Sequence, residues 1–333
     1  MNRIIPINIS FRVMILFLLV FTMLTLIVAP IVGGSISNFT KLFSSETGRR
    51  ILFELRLPRV IFAFLVGFSL AMIGVVFQAL LQNELATPYT LGVSSGGALG
   101  AVIAIKTGMV LNIYGFTTIT LYSVIGSLLT IFIIYSIAKS RAGISPLTLI
   151  LTGVTVSLLF SSFILFIHYL ADFTETYRMI RWLMGGLQVT GWYYSLVLLP
   201  FVLVAFLFLF RQAVALNIIS SGDELAWSKG VDVLRLQRLI FFISSTLVGI
   251  IVAFAGPIGF IGLIIPHLFR LIVGADHRKL LVAAPIFGGA FLIWCDTLAR
   301  TIISPAELPV GIITAMLGGP FFIWLLIKQK KSI

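Results

Sequence analysis

Long uncharged windows dominate the pattern of hydrophobic and polar positions along the chain. Nine stretches contain no Asp, Glu, Lys or Arg, and they cover residues 13–40, 60–83, 85–105, 107–138, 142–171, 182–210, 239–269, 280–295 and 308–327. Because a membrane-spanning helix needs about 20 mostly apolar residues, each window has roughly the length of one span. The window 239–269 is longer and contains the helix-breaking Gly256-Pro257-Ile258-Gly259, so we divide it in two. The pattern predicts an all-α integral membrane protein with about ten transmembrane helices.

Composition supports this class. The chain is 59% hydrophobic and 10% charged, whereas a soluble domain carries about twice that charged fraction. Uninterrupted apolar windows also differ from the alternating strands of a membrane β-barrel. The first window is too long for a signal peptide and lacks a clear small-x-small cleavage site, so we predict that it is the first spanning helix.

Basic residues predict the orientation. An even number of spans places both termini on one side, and both are basic, with two arginines in the first 12 residues and three lysines in the last six. Cytoplasmic termini put 14 of the 23 Lys and Arg residues inside, in the direction of the positive-inside rule. Five of the remaining nine lie in residues 41–59, which this topology places in an outer loop.

A short polar island, residues 220–232, lies between the sixth and seventh predicted helices. Its Ser221-Gly222-Asp223 sequence suits an N-cap and an acidic first turn, and Gly230 suits a helix stop. Leu225 and Ala226 are predicted to share one face of this short helix. The topology places this helix in the cytoplasm, where we expect another protein to bind it.

Two pairs of charged residues lie at predicted membrane edges. Arg56 and Arg59 flank a proline at the start of the second helix. They either anchor at lipid headgroups or bind an acidic partner, and the outer location favours the partner, since Arg binds carboxylates bidentately. Asp296 and Arg300 are four residues apart and share a helix face. A local ion pair with Arg300 reaching outward is the simpler interpretation, and a proton relay through Asp296 is the alternative.

Residues 78–97 predict a tight cytoplasmic turn that leads into a glycine-rich helix. Gly96 and Gly100 are expected to allow close helix packing. In the turn, Asn83 and Leu85 are candidates for a constriction at the inner mouth of a pathway.

Several function classes are excluded. We find no Ser/Cys–His–Asp set, no paired carboxylates in an apolar run and no nucleotide-binding loop, so we predict that the chain is not an enzyme on its own. A metal site at His267 would need further ligands, so we do not predict one. His267 follows a proline, and we predict a helix kink at this position instead. The formal charge of +12 is spread over loops, with no polar domain to hold a duplex, so nucleic acid is not an expected partner. No metal or other cofactor is expected in this chain.

The motifs, in chain order, resemble those of one family. The matching stretches are residues 56–59, 78–97, 153–154, 182–186, 222–231, 259–270, 276–278, 296–300 and 307–320. They cover nearly the whole chain after residue 50. On this pattern the sequence resembles the FecCD-type permease subunits of bacterial ABC importers for iron–siderophores, haem and cobalamin.

The resemblance implies the architecture and the partners. It implies one permease domain over residues 1–333, in the bacterial cytoplasmic membrane and in contact with lipid. A second permease, either an identical copy or a paralogue, completes the pathway. Two cytoplasmic ABC ATPase subunits bind the ATP, and an extracytoplasmic binding protein delivers the cargo.

Residue roles are carried over position by position from the matching motifs. The implied ATPase-coupling residues are Asp223, Glu224, Leu225, Ala226, Lys229 and Gly230. The implied binding-protein docking residues are Arg56, Arg59 and Arg300. The implied inner gate is formed by Asn83 and Leu85 and, more loosely, by Ser145 and Pro146. Glu84 departs from the family pattern, which has proline after the Asn.

The resemblance favours an iron(III)–siderophore complex as cargo, because such systems dominate the family, with cobalamin and haem as alternatives. A proton- or sodium-coupled secondary transporter is a competing class, but such proteins place acids at mid-membrane. Here the candidate acid, Asp296, lies near a helix end. A channel or an assembly scaffold is a third class, with no specific feature in its favour.

Overall fold

The structure is a computed structural model that describes residues 10–32, 45–87, 89, 91–113, 115–140 and 143–330. The chain forms two compact units. The first comprises Met1–Val75, Leu187–Ser195 and Gly259–Ile333, and the second comprises Val76–Gly186 and Leu196–Ile258. The assignment of one permease domain to residues 1–333 stays a prediction.

Helices make up most of the described chain. In order they are α1 (Phe11–Val28), α2 (Glu46–Arg50), α3 (Leu57–Leu80), α4 (Val93–Thr107), α5 (Thr118–Ala138), α6 (Pro146–Tyr169), α7 (Phe173–Leu183), α8 (Tyr193–Arg211), α9 (Ala213–Ile219), α10 (Asp223–Ser228), α11 (Val233–Ala255), α12 (Ile261–Val273), α13 (His277–Thr301) and α14 (Val310–Lys330). A π-helical turn, Ile51–Arg56, joins α2 to α3. Two short antiparallel hairpins pair β1 (Asn112–Ile113) with β2 (Phe116–Thr117), and β3 (Lys139–Ser140) with β4 (Gly143–Ile144).

The predicted number of spans is confirmed within the described residues. Seven helical segments are long and apolar enough to cross a bilayer, and they are α1, the continuous segment from α2 to α3, α5, α6, α8, α11 and α13. Three shorter apolar helices, α4, α12 and the first part of α14, bring the total to ten.

The division of the window 239–269 is also confirmed. Helix α11 ends at Ala255, Gly256 adopts a φ of 65°, and α12 begins only at Ile261. Pro257 has no N–H with which to continue the hydrogen bonds of α11, and the positive φ of the preceding glycine turns the chain away.

The predicted outer loop over residues 41–59 is wrong for residues 46–59, which are helical, and Lys41 lies outside the described residues. The start of α2 is capped by Ser45, whose hydroxyl oxygen accepts a hydrogen bond from the N–H of Gly48 at 3.0 Å. An Asp/Asn/Ser/Thr cap stabilises a helix start by about 1 kcal/mol. The helix therefore begins about four turns before the apolar window does, because capping and not hydrophobicity sets its first residue.

Pro58 gives the physical reason for the π-helical turn before α3. Proline has no N–H, so the carbonyl of Glu54, four residues earlier, loses its α-helical partner. The backbone N–H of Gly191 donates to that carbonyl at 2.9 Å, and the indole N–H of Trp192 donates to the carbonyl of Phe53 at 3.1 Å. The residues after α7 thus satisfy the backbone that the proline leaves open.

Glycines bring α3 and α13 together in the first unit. A Cβ added at Gly67 would collide with the carbonyl oxygen of Gly288 and would lie 2.7 Å from Leu292 Cβ. Arg59 lies eight residues before Gly67, and Asp296 lies eight residues after Gly288. In antiparallel helices these two side chains are then at one level, about 12 Å along the axis from the glycine contact. The glycine contact therefore positions the ion pair described below.

Close packing through Gly96 and Gly100 of α4 is confirmed in the second unit. A methyl group at Gly96 would collide with Thr130 Oγ1 and would lie 2.7 Å from the carbonyl oxygen of Gly126 on α5. A methyl group at Gly100 would collide with the carbonyl oxygen of Tyr122. The two helices consequently pack backbone against backbone.

Candidate functional site

Arg59 and Asp296 form a bidentate ion pair in the first unit. Arg59 donates from Nη2 to Asp296 Oδ1 at 2.9 Å and from Nε to Oδ2 at 3.0 Å. The Asp296 side chain is only 2% exposed. Parallel hydrogen bonds of this kind fix both side chains and are stronger than bonds between neutral groups.

Arg300 shares the same carboxylate. Its Nε donates to Asp296 Oδ2 at 3.1 Å, so the predicted local ion pair is confirmed. The prediction that Arg300 reaches outward is wrong, because its side chain is buried. The inward turn has a physical reason, since the carboxylate and open backbone carbonyls both lie inside the unit.

Those carbonyls belong to the residues that follow α1. Arg300 donates to the carbonyls of Ala29 and Val32 at 3.4 and 3.3 Å. Arg56 donates to the carbonyls of Pro30 and Ile31 at 3.0 and 3.2 Å. Carbonyls in the turn after a helix have no helical partner, so hydrogen bonds from the two cations satisfy them and stabilise this end of the chain segment. Two of the three predicted docking arginines therefore also hold the end of α1.

Glu307 completes the cluster at its rim. Arg59 Nη1 donates to Glu307 Oε2 at 2.8 Å, and the glutamate side chain is 37% exposed. Glu307 lies in the connection between α13 and α14, three residues before α14 begins. Sequence reasoning did not pair this acid with Arg59, because 248 residues separate them.

These side chains line a cleft, which we call the arginine cleft and define by Arg56, Arg59, Arg300 and Glu307. Its volume is about 410 Å³, and polar side chains of Gln188, Thr190 and Ser304 also line it. Counting Asp296 beneath it, three guanidinium groups face two carboxylates. Among the described residues of the cleft, the formal charge is therefore +1, and an anion is its electrostatic complement.

The predicted short helix in residues 220–232 is present as α10, in the second unit. The predicted Ser-Gly-Asp cap is wrong, because the residue before α10, Gly222, makes no side-chain cap hydrogen bond. The hydroxyls of Ser220 and Ser221 instead donate to carbonyls of α9, at 2.8 and 3.3 Å. The predicted stop is confirmed, since Gly230 adopts a φ of 77°, a left-handed conformation that glycine tolerates.

The side chains of α10 divide into a buried and an exposed set. Ala226 is fully buried, whereas Leu225 is 44% exposed and Trp227 is 55% exposed. The predicted common face of Leu225 and Ala226 is therefore wrong, because successive residues of a helix point about 100° apart. Glu224 and Lys229 are exposed, and the side chain of Asp223 lies outside the described residues.

The candidate gate residues hold local turns in the second unit. Asn83 Oδ1 accepts a hydrogen bond from the N–H of Leu85 at 2.9 Å, and Leu85 is 38% exposed. Ser145 caps α6 by accepting from the N–H of Thr148 at 3.4 Å, and Pro146 is the first residue of that helix. These local roles explain the residue types. Their role as a gate stays a prediction.

No group of three or more His, Cys, Asp and Glu side chains that could hold a metal ion occurs within the described ranges.

Comparison with known proteins identifies the family. The model of the FecCD transport family matches residues 14–328. The chain belongs to the FecCD transport family. Seven long apolar helical segments and three shorter ones agree with a multi-pass membrane protein of this family.

Relatives of this FecCD-family chain are similar over most of their length. The hemin transport system permease HmuU of Yersinia pestis is 37% identical over 328 residues, which cover 96% of this chain and 97% of the relative. The cobalamin import system permease BtuC of Halobacterium salinarum is 41% identical over 281 residues, which cover 84% of this chain and 74% of the relative.

A solved structure supports the fold. A metal-chelate type ABC transporter in an inward-facing conformation superposes with a TM-score of 0.83 and 32% identity, covering 96% of this chain and all of that chain. The FecCD-family chain is accordingly an ABC importer permease of the metal-chelate type. Its relatives are transport permeases and not enzymes, as the sequence predicts for this chain.

Sequence reasoning did not single out Trp227 of this permease, which is 55% exposed. Trp227 is the most exposed large apolar side chain of α10. The signal was available, since a Trp in the middle of a polar island is unusual unless a partner covers it.

Proposed function

We propose that this permease forms half of the translocation pathway of an ATP-driven, binding-protein-dependent importer of iron(III)–siderophore complexes. A second permease, identical or paralogous, supplies the other half. The assembly spans the bacterial cytoplasmic membrane in contact with lipid, with both termini in the cytoplasm. One span then precedes Arg56 and six precede α10, so the arginine cleft faces outward and α10 faces the cytoplasm.

The exposed apolar side chains of α10 are the main observation that supports the proposed function. Leu225 and Trp227 are exposed on a helix of six residues that lies in sequence between two apolar helices, α8 and α11. The proposed topology places this helix outside the lipid. Large apolar side chains that remain exposed outside a bilayer indicate a protein contact, and Trp is frequent at the centre of such contacts. The sequence has no nucleotide-binding loop, so another subunit must bind the ATP. The proposed partner is therefore an ATPase subunit that binds ATP and contacts α10.

The connection from α10 to the membrane supports a mechanical role. The N–H of Val231 donates to the carbonyl of Ala226 at 3.0 Å, which closes the end of α10. The next residue, Asp232, caps α11 by accepting from the N–H of Arg235 at 3.0 Å. Only four residues separate α10 from the spanning helix α11. When ATP binding closes the two ATPase subunits, a displacement of α10 therefore moves α11 as well, because the connection between them is too short to absorb it.

The proposed inner gate lies in the same unit. The turn at Asn83 leaves Leu85 partly exposed, and we assign both residues, with Ser145 and Pro146 at the start of α6, to the cytoplasmic mouth. Movement of α11 and its neighbours would open and close this mouth in alternation with the outer side.

The arginine cleft is the proposed docking site of the binding protein. Arg59 and Arg300 already hold carboxylates, whereas Arg56 donates to backbone carbonyls and has no carboxylate partner among the described residues. The uncompensated positive charge is thus attributed to Arg56, and an acidic side chain of the binding protein is its complement.

The identity of the cargo is the most specific part of the proposal. The names of two relatives specify hemin and cobalamin. Haem and cobalamin are therefore the alternative cargos to an iron(III)–siderophore complex. The test is ATP hydrolysis by the reconstituted importer with its binding protein, measured with a panel of ferric siderophores, haem and cobalamin. Stimulation by a ferric siderophore alone supports the proposal. Stimulation by haem or cobalamin alone reassigns the cargo.

A further inference from the structure

We propose that Glu307 is an internal substitute for the carboxylate of the docking protein, and that docking displaces it from Arg59. The inference rests on the proposed docking role of the arginine cleft. It makes Glu307 a built-in competitor that weakens docking and lets the binding protein leave after delivery.

The two carboxylates of the cluster differ in how firmly they are held. Asp296 is 2% exposed and accepts hydrogen bonds from both Arg59 and Arg300. Glu307 is 37% exposed and has one ion-pair partner among the described residues, Nη1 of Arg59. A partly exposed pair contributes little stability, whereas a buried one is costly to break. Glu307 is therefore the carboxylate that an incoming acid can replace.

The backbone beside Glu307 is held independently of its side chain. The N–H of Leu308 donates to the carbonyl of Ala299 at 3.0 Å, and the N–H of Ala306 donates to the carbonyl of Ile303 at 2.9 Å. Release of Arg59 then requires only rotation of the glutamate side chain into solvent. No rearrangement of the connection between α13 and α14 is needed, so the exchange can be fast.

The cleft has the charge and the room for this exchange. Its formal charge is +1 with Glu307 in place, and it rises to +2 for an approaching partner once the Glu307 carboxylate has turned away. Its volume of about 410 Å³ lies in the range of small-molecule pockets, so one inserted acidic side chain fits. An incoming carboxylate gains Nη1 of Arg59 in place of Glu307 and lies in the same cleft as Arg56.

The test compares the affinity of the binding protein for the complete importer in lipid nanodiscs, for wild type and Glu307→Gln. The variant keeps the shape of the side chain and removes the competing charge. We expect docking about threefold to fivefold tighter at low salt, the value of one exposed ion pair. The gain should vanish in about 1 M salt, where the Debye length is near 3 Å.

Matched variants separate the possible outcomes. Glu46→Gln removes an equal charge from a glutamate that is 80% exposed, pairs with Arg50 and does not line the cleft, so it should leave affinity unchanged. Glu307→Ala is the second variant, in case the amide of the first binds Arg59 too well, and it should also tighten docking. Unchanged or weaker docking in both Glu307 variants overturns the inference, as does equal tightening by Glu46→Gln.

A last variant distinguishes failure of this inference from failure of the docking proposal. Arg56→Glu should weaken docking at low salt. If it does so while the Glu307 variants have no effect, the docking site stands and the competitor is wrong. If none of the variants changes affinity, the docking proposal itself fails.

Discussion

Replacement of Asp296 by Asn tests whether the arginine cluster is a structural element of the first unit. The substitution keeps the size of the side chain and removes the charge that Arg59 and Arg300 share at 2.9 and 3.1 Å. Both guanidinium groups then stay largely buried, and Arg300 loses its carboxylate. Breaking a buried ion pair by removing one partner costs about 3–5 kcal/mol.

The assay follows from the composition of the chain. Cys295 is the single cysteine of the sequence and is buried in α13, so a thiol-reactive dye reports unfolding of that helix. At about 2 °C per kcal/mol for a large domain, the thermal midpoint of Asp296→Asn should fall by roughly 6–10 °C. Glu307→Gln, which removes the exposed carboxylate, should cost less than about 1 kcal/mol. A fall in Asp296→Asn no larger than that of Glu307→Gln would refute the buried-network reasoning.

Three further predictions concern other parts of the chain. Gly96→Ala should destabilise by about 1–3 kcal/mol through overpacking against Thr130, while Gly186→Ala, where an added Cβ meets nothing within 4 Å, should be nearly neutral in the same melting assay. Leu225→Ala combined with Trp227→Ala should lower ATP-driven uptake at least about tenfold with an unchanged melting midpoint, because the lost contacts are those of an interface centre; retained uptake would remove α10 as the coupling element. Arg56→Glu should weaken binding-protein docking most at low ionic strength, and a loss that is equal at all salt concentrations would point to damage at the end of α1 instead.

The spans were predictable because their signal is local. Uncharged windows of about 20 residues define a helix without reference to any neighbour, and Pro257 after a glycine marks a break in any context. The small residues Gly96 and Gly100 likewise predicted close packing, since a helix that carries them on one face can approach another backbone.

The features that the sequence did not reveal depend on distant parts of the chain. The helix before Arg56 is stabilised by Gly191 and Trp192, which no local window includes. Arg300 was expected to point outward, but the carbonyls that turn it inward come from residues after α1, about 270 positions away. Glu307 meets Arg59 for the same reason, through packing of α3 on α13.

The candidate coupling helix shows a third kind of limit. The polar residues and Gly230 predicted the helix itself, but they did not predict which of its faces is buried. In a helix of six residues there is too little periodicity to choose which side is buried, and Ala226 is buried while Leu225 and Trp227 are not. Only the packing of α10 inside its unit decided this.

Uptake into sealed vesicles tests the central claim most directly. The permease is reconstituted with its ATPase subunits, and the loaded binding protein and a radiolabelled ferric siderophore are supplied on the outer side. We predict accumulation that requires both ATP on the cytoplasmic side and the binding protein, and that is lost in the Leu225→Ala, Trp227→Ala double variant. Accumulation that continues without ATP, or that follows an imposed proton or sodium gradient, would contradict the account and favour a secondary transporter.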